Sequence, residues 1–306
     1  MSWLSASHPD EAGRREQARE RSDAWGHALY SGRLPPFVDA RLKDAAAGRV
    51  PWLATLTPAE LLLARSHGLR PVAAVSGTCW YHYGWSWTEG HAEGWHTALA
   101  RMKAEAVAAG ANAIVDVKLR TVRLHGTGDS MDYTVLGTAV AVDGLPPSRD
   151  PVVATVGAIE FVRLLEAGIV ATGVAIGARY DWLTATWSTL GGYGSNGALG
   201  DLTRFWEGVR RSAIDDLRRD TARLGNGVLA HTHFAQLLKI ERDKQPPQML
   251  GRHIVLGTAV QCGRGDSVPH GIQMVVDMRD ELSPLDDVAP RSHTAYGDQA
   301  DQEGAI

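Results

Sequence analysis

Two rhythms of apolar residues alternate along most of the chain. Short apolar runs at residues 51–56 and 71–77, with longer ones at 113–122 and 131–142, have the length and texture of strands. The same series returns at 151–156, 171–177, 228–240 and 253–261. Between the second and third runs of each series the period lengthens to that of a helix. Ala98, Met102 and Ala106 recur at four-residue spacing within 93–109, and Val209, Ile214, Leu217 and Leu224 share one side of a helix over 202–224. Arg210, Arg211, Asp215, Asp216, Arg218, Arg219 and Asp220 then form the solvated face of the second helix. A shorter helix follows the first run of each series. Thr57 as N-cap, Pro58 at N1 and Glu60 at N3 make a capping box, and Gly157 with Glu160 repeats it in part. Gly68 and Gly168 suit the left-handed residue that ends such a helix. Each half therefore reads strand, helix, strand, helix, strand, strand. The predicted class is α+β, with helices packed on small, mainly antiparallel sheets.

The two halves are copies of one pattern. The string Val-Leu-Gly-Thr-Ala-Val occupies residues 135–140 and again 255–260. Upstream, Pro51, Ala54, Thr55, Glu60, Gly68 and Gly77 meet Pro151, Ala154, Thr155, Glu160, Gly168 and Gly177 without a gap. Asn112 in Gly110-Ala-Asn-Ala-Ile-Val meets Asn226 in Leu224-Gly-Asn-Gly-Val-Leu. The expected organisation is an N-terminal helical extension (1–50), a first module (51–143), a second module (151–262), a closing strand (263–278) and a disordered acidic tail (279–306). In the extension, residues 10–28 and 37–47 read as helices separated by Pro35-Pro36. The run Gly271-Ile-Gln-Met-Val-Val-Asp-Met stands where a third copy would begin, and is expected to pair with the edge of the second module.

Charge and composition narrow the function classes. A net charge of −4 gives no general attraction to nucleic acid or to anionic membranes. Only Cys79 and Cys262 are present, so no disulfide framework exists, and a reducing, cytoplasmic compartment is expected. The start Met1-Ser-Trp-Leu-Ser is unlike a signal peptide, and no apolar run is long enough to span a bilayer. Neither a Gly-x-Ser-x-Gly elbow nor His-Glu-x-x-His occurs, so nothing positive points to a hydrolase.

The Gly-Ala-Asn-Ala-Ile-Val turn after a long helix, and the strand ending Gly-Thr-Ala-Val, resemble the YbjQ-like family, often labelled heavy-metal-binding. The resemblance runs over both modules and is strongest at residues 110–115 and 136–140. It implies a tandem, dodecin-like two-layer fold and ring-shaped oligomers, pentamers first. It implies no reaction. Asn112 and Asn226 fall at the motif position, where asparagine suits a tight helix-to-strand turn.

Candidate chemistry lies where the copies differ. Trp80, Trp85 and Trp87 in the first half, and Trp182 and Trp187 in the second, are expected in loops that make subunit contacts, because aromatics bury much area per residue. Cys79 and His82, with His91 and His96 nearby, offer thiolate and imidazole for zinc or another transition metal. The remaining spacings match no closed site, and Arg179 replaces Cys79 in the second copy. His231 and His233 alternate on a strand, and His253 begins its neighbour, so three imidazoles could converge on a metal with one open position. Their expected counterparts in the first copy are Val117 and Leu119. The glycine-rich stretch at 191–197 lacks a phosphate-loop signature and is read as serving flexibility or close subunit packing. The preferred expectation is a non-enzymatic, ring-forming scaffold whose partner is itself. The alternative is a metal-binding or metal-stress protein.

Overall fold

The computed structural model describes residues 9–82, 87–123, 130–184, 196–240 and 248–263. Helices α1 (Pro9–Ser31) and α2 (Pro36–Ala46) come first, then α3 (Pro58–Ser66), β1 (Leu69–His82), α4 (Trp87–Ala108), β2 (Ala113–Arg123) and β3 (Ser130–Val142). The second half supplies β4 (Val152–Val153), α5 (Ala158–Glu166), β5 (Val170–Thr184), α6 (Asn196–Leu224), β6 (Gly227–Ile240) and β7 (Gln248–Gln261). Mixed helix and sheet are thus confirmed, in two sheets ordered β1-β3-β2-β4 and β5-β7-β6.

The sheets are built alike, down to single contacts. In each, the last strand lies between the other two and pairs antiparallel with both. The first strand carries a bulge at matching places, between Pro71 and Ala73 and between Ala171 and Gly173. The long helix presses on that strand at a glycine. A Cβ on Gly77 would lie 2.0 Å from the Ala98 carbonyl oxygen, and one on Gly177 2.1 Å from that of Ala213. Glu105 of α4 accepts the Ser76 N–H at 2.9 Å, and Asp220 of α6 accepts that of Ile176 at the same distance. The repeated threonine of each central strand is fully buried and meets the leading segment of its half: Thr138 bonds Thr55, and Thr258 bonds Thr155. The capping box at Thr57 and Glu60 is present, Glu160 accepts the Gly157 N–H, and Gly68 and Gly168 both sit at φ +72°.

The leading segments depart from expectation. Residues 51–57 join no strand, and of 151–156 only β4 is strand. Strand β4 pairs parallel with β2, Ala113 opposite Val152 and Ile114 opposite Val153, so it closes the sheet of the other half. Beyond it, Val156 accepts the Asp116 N–H and Ala154 that of Val117. Asp116 has φ 54°, a left-handed residue at the bulge of β2 that aspartate tolerates. The expected closing strand and acidic tail lie, from residue 264 on, outside the described residues.

Among the described residues three buried clusters form the core. The largest joins Ala98, Met102 and Ala106 of α4 to the first sheet, and it also takes Val174, Ile176 and Leu256 from the second. A second unites Ala64, Val140, Ala154, Phe161 and Val162 around α3 and α5. The third packs Ala213 and Leu217 of α6 on Ala175, Val255 and Ala259. The second sheet therefore has α6 on one face and contributes its other face to the core of the first half. The stripe on α6 runs through Val209, Ala213, Leu217 and Thr221, all buried, whereas Ile214 and Leu224 stand at its margins, partly exposed. Helix α1 is polar, and its described contacts come through residues such as Trp25, edge-on to Phe37 at 6.1 Å.

Candidate functional site

The chemistry-bearing side chains gather at the junction of the halves. Helix α4 presents His91 and Trp95, one turn apart, both fully buried. The His91 ring stacks on Tyr180 of β5 at 4.3 Å and meets Tyr133 of β3 edge-on at 5.4 Å. The Tyr133 hydroxyl and His91 Nδ1 share a hydrogen bond. Trp95 stands edge-on to Tyr133 at 5.1 Å on one side and to His233 of β6 at 5.5 Å on the other. Arg252 of β7 lies over the Phe234 ring at 4.9 Å and the Tyr180 ring at 5.8 Å, and bonds Gln236. Five elements from both halves thus interlock through rings and one guanidinium.

Burial governs the charge states. Desolvation pushes His91 down to about 3, with Arg252 and His233 adding to the effect. The same cause, with His231 behind it, takes His233 down to about 4. Burial holds Tyr133 far above the ordinary phenol range. At neutral pH the cluster is therefore two neutral imidazoles, a phenol and a paired arginine. An imidazole this weakly basic is a poor general base. What the geometry does well is fix α4 between the two sheets.

The residues singled out in the sequence are dispersed. His231 stands opposite Leu256, on the face that meets the first half, close enough to His233 to influence its charge. His253 stands opposite Ala235 and Arg179, on the face toward α6, with its ring edge-on to Trp206 at 5.9 Å. The bulge of β6 lies between Thr232 and Phe234, and that of β2 between Val115 and Lys118. By register, Lys118 opposite Leu136 is the counterpart of His231 opposite Leu256, not Val117. Cys79 is buried in β1 opposite Tyr133, and burial raises its thiol. His82 ends β1, and its side chain lies outside the described residues. His96 instead faces α6, its Nε2 3.8 Å from Asp220 Oδ2. Among the described residues no group of three His, Cys, Asp or Glu side chains is placed to hold a metal ion.

The tryptophans also sort. Trp80 belongs to β1 rather than a loop, is exposed, and stands opposite Asp132. Trp182 belongs to β5, opposite Leu250, and is exposed. Trp87 opens α4 with its side chain outside the described residues, and Trp85 and Trp187 lie outside them altogether. The junction roles of Trp95, Tyr133 and Tyr180 carried no local signal, because their partners are 38 or more residues away.

With this arrangement in view, similarity to known proteins is limited and specific. Residues 85–143, from α4 through β3, match the family model YbjQ_1, described as "Putative heavy-metal-binding". An encapsulin nanocompartment protein of Mycobacterium tuberculosis is 26% identical over 227 residues, covering 68% of this chain and 85% of that protein. No solved structure matches significantly. Among the described residues no helix is long and apolar enough to cross a membrane.

Proposed function

We propose that this chain is a subunit of a closed, ring-forming assembly, a non-enzymatic scaffold in the cytoplasm, built from two copies of one dodecin-like module. One observation carries the reading. The leading segment of the second half is consumed in closing the sheet of the first, whereas the equivalent segment of the first half, held at Thr55 and Leu56, stands uncovered at its start. Trp52 and Leu53 are 49% and 70% exposed, while Val153 is 2% exposed. A chain that spends one connector internally and leaves its twin open is suited to self-association. The similarity to a protein named for a nanocompartment supports an assembly role, and the family match supports a module shared with YbjQ-like proteins. Light scattering at micromolar concentration should report one discrete oligomer, with five chains the first expectation. A monomer would overturn the reading.

A metal-binding role is the second reading. It rests on the family description and on His231 and His233, whose depressed basicity leaves both rings neutral and able to donate a lone pair at neutral pH. Stoichiometric metal in protein purified without a tag, lost in His231→Ala/His233→Ala, would support it. Neither bound metal nor a thermal shift with zinc, copper or nickel would dismiss it.

A further inference from the structure

An apolar groove of about 730 Å³ runs between α5 and the outer edge of β6, lined by Val156, Ile159, Leu164, Val228, Leu229 and Ala230, with Glu160 and Arg163 at its rim. Its counterpart in the first half, between α3 and β2, is filled. There β4 pairs with the edge of β2, and Ala154, Ala158 and Phe161 pack against Ala64. Among the described residues nothing pairs with the outer edge of β6. Among the described residues the groove is therefore the unfilled equivalent of a site already occupied once within the chain.

From this we infer that the groove receives residues 51–66 of a second copy of this chain, with the 51–57 segment adding as a parallel strand to β6 and α3 lying against α5. The inference rests on the assembly reading above and names its contact. Four features support it. The segment has the same spacing as the one that fills the first groove, so Trp52 and Leu53 take the places of Val152 and Val153. Trp52, Leu53 and Leu62 lie open, whereas the counterparts Val153 and Val162 are covered: Leu62 is 71% exposed and Val162 1%. The receiving strand keeps the register of β2 through Leu229, since Ile114 and Val228 both stand opposite the buried alanine of their central strands. The remaining part of the contact between the halves also has open counterparts. Leu99 of α4 and Leu256 of β7 are buried at the junction, whereas Ile214 and Leu136, which match them, are partly exposed.

The resulting contact is heterologous: the second half of one copy holds the first half of the next. Repetition of such a contact closes into a ring when the rotation permits and otherwise runs on as a filament. A strand added at an open edge supplies main-chain hydrogen bonds, and the side chains at 52, 53 and 62 supply the apolar burial. The competing occupant is residues 271–276 of the same chain.

The test is Leu53→Cys with Val228→Cys in a Cys262→Ser background, the two positions that match the paired Val153 and Ile114. Mild oxidation of the full chain should convert most of it to covalent multimers on a non-reducing gel. Each single variant should stay uncrosslinked, and a mixture of the two should stop at dimers. A Leu53→Lys variant, changed at an exposed position and checked by circular dichroism, should lose the oligomer and keep its secondary structure. An oligomer that persists with no crosslink overturns this contact and leaves the assembly reading standing. A monomeric wild type overturns both. Crosslinking that appears only after truncation at residue 263 assigns the groove to the chain's own tail, and also overturns the proposal.

Discussion

Burial changes the chemistry of His91 and His233. Both are held neutral by burial, with pKa values near 3 and 4 against about 6.5 for a free side chain. Below pH 6.5 the unfolded chain takes up protons that the folded chain refuses, so stability falls with pH. The loss should begin near pH 6.5 and be complete only near pH 3. His96, half-exposed and raised in pKa beside Asp220, acts in the opposite sense, and solvent screening makes it the smaller contribution. Urea midpoints measured between pH 7.5 and 4 should decline steadily, and a His233→Gln variant should flatten the upper part of that decline. Gly77 and Gly177 are the other positions where one atom decides. Replacing either with alanine puts a methyl group into helix backbone, which cannot yield as a side chain would. Each change should cost about 1–3 kcal/mol in chemical denaturation. Both glycines were visible in the sequence as aligned residues, but their reason was not, since it depends on how closely a distant helix approaches.

Elements reveal how far pattern reading reaches. The short helices α3 and α5 were legible to the residue, because capping is decided within four positions by Thr57, Glu60 and Glu160. The turn between α4 and β2 was legible for the same reason. Asn112 donates from Nδ2 to the Pro146 carbonyl at 2.5 Å and accepts the Val142 N–H at 2.9 Å, and Asn226 does the same for Cys262 alone. Asn112→Ala leaves both groups without that partner and should lower stability by about 1–3 kcal/mol, read from a thermal or urea melt. Less local features escaped. Bulge positions in β2 and β6 differ, and they settle which side chains share a face, so His231 and His253 diverge although their spacing suits convergence. Strands β1 and β5 continue past residues 77 and 177 into segments expected to be loops, where exposed Trp80 and buried Cys79 alternate as a half-covered strand requires.

At the scale of the whole molecule, the two halves share the largest of the buried clusters. Trp95 sits at its centre, between Tyr133 of one half and His233 of the other. Trp95→Ala should cost about 3–5 kcal/mol, the range for removing a buried aromatic. Because the cavity falls at the junction, unfolding followed by circular dichroism should also broaden or separate into two steps, where the native chain should show one. That the two central strands would be alike was written in the repeated string. That one face of the second sheet would be covered by the first half was not, because Leu136 and Leu256 are the same residue in the same string. Only the second is buried.

Strand β4 carries a consequence for synthesis. It belongs to the second half by order and completes the first half in space. While the chain emerges from the ribosome, the outer edge of β2 has no partner until residues 152–156 are clear of the exit tunnel. The first half therefore cannot mature as an independent unit ahead of its neighbour, unlike the domain-by-domain order usual in larger proteins. During that interval a polysome presents many nascent chains with the same open edge, and any other copy's leading segment is a competitor for it. The eight residues between β3 and the Pro151 that precedes β4 are short, which keeps the correct segment at high local concentration and biases the closure toward the chain's own connector.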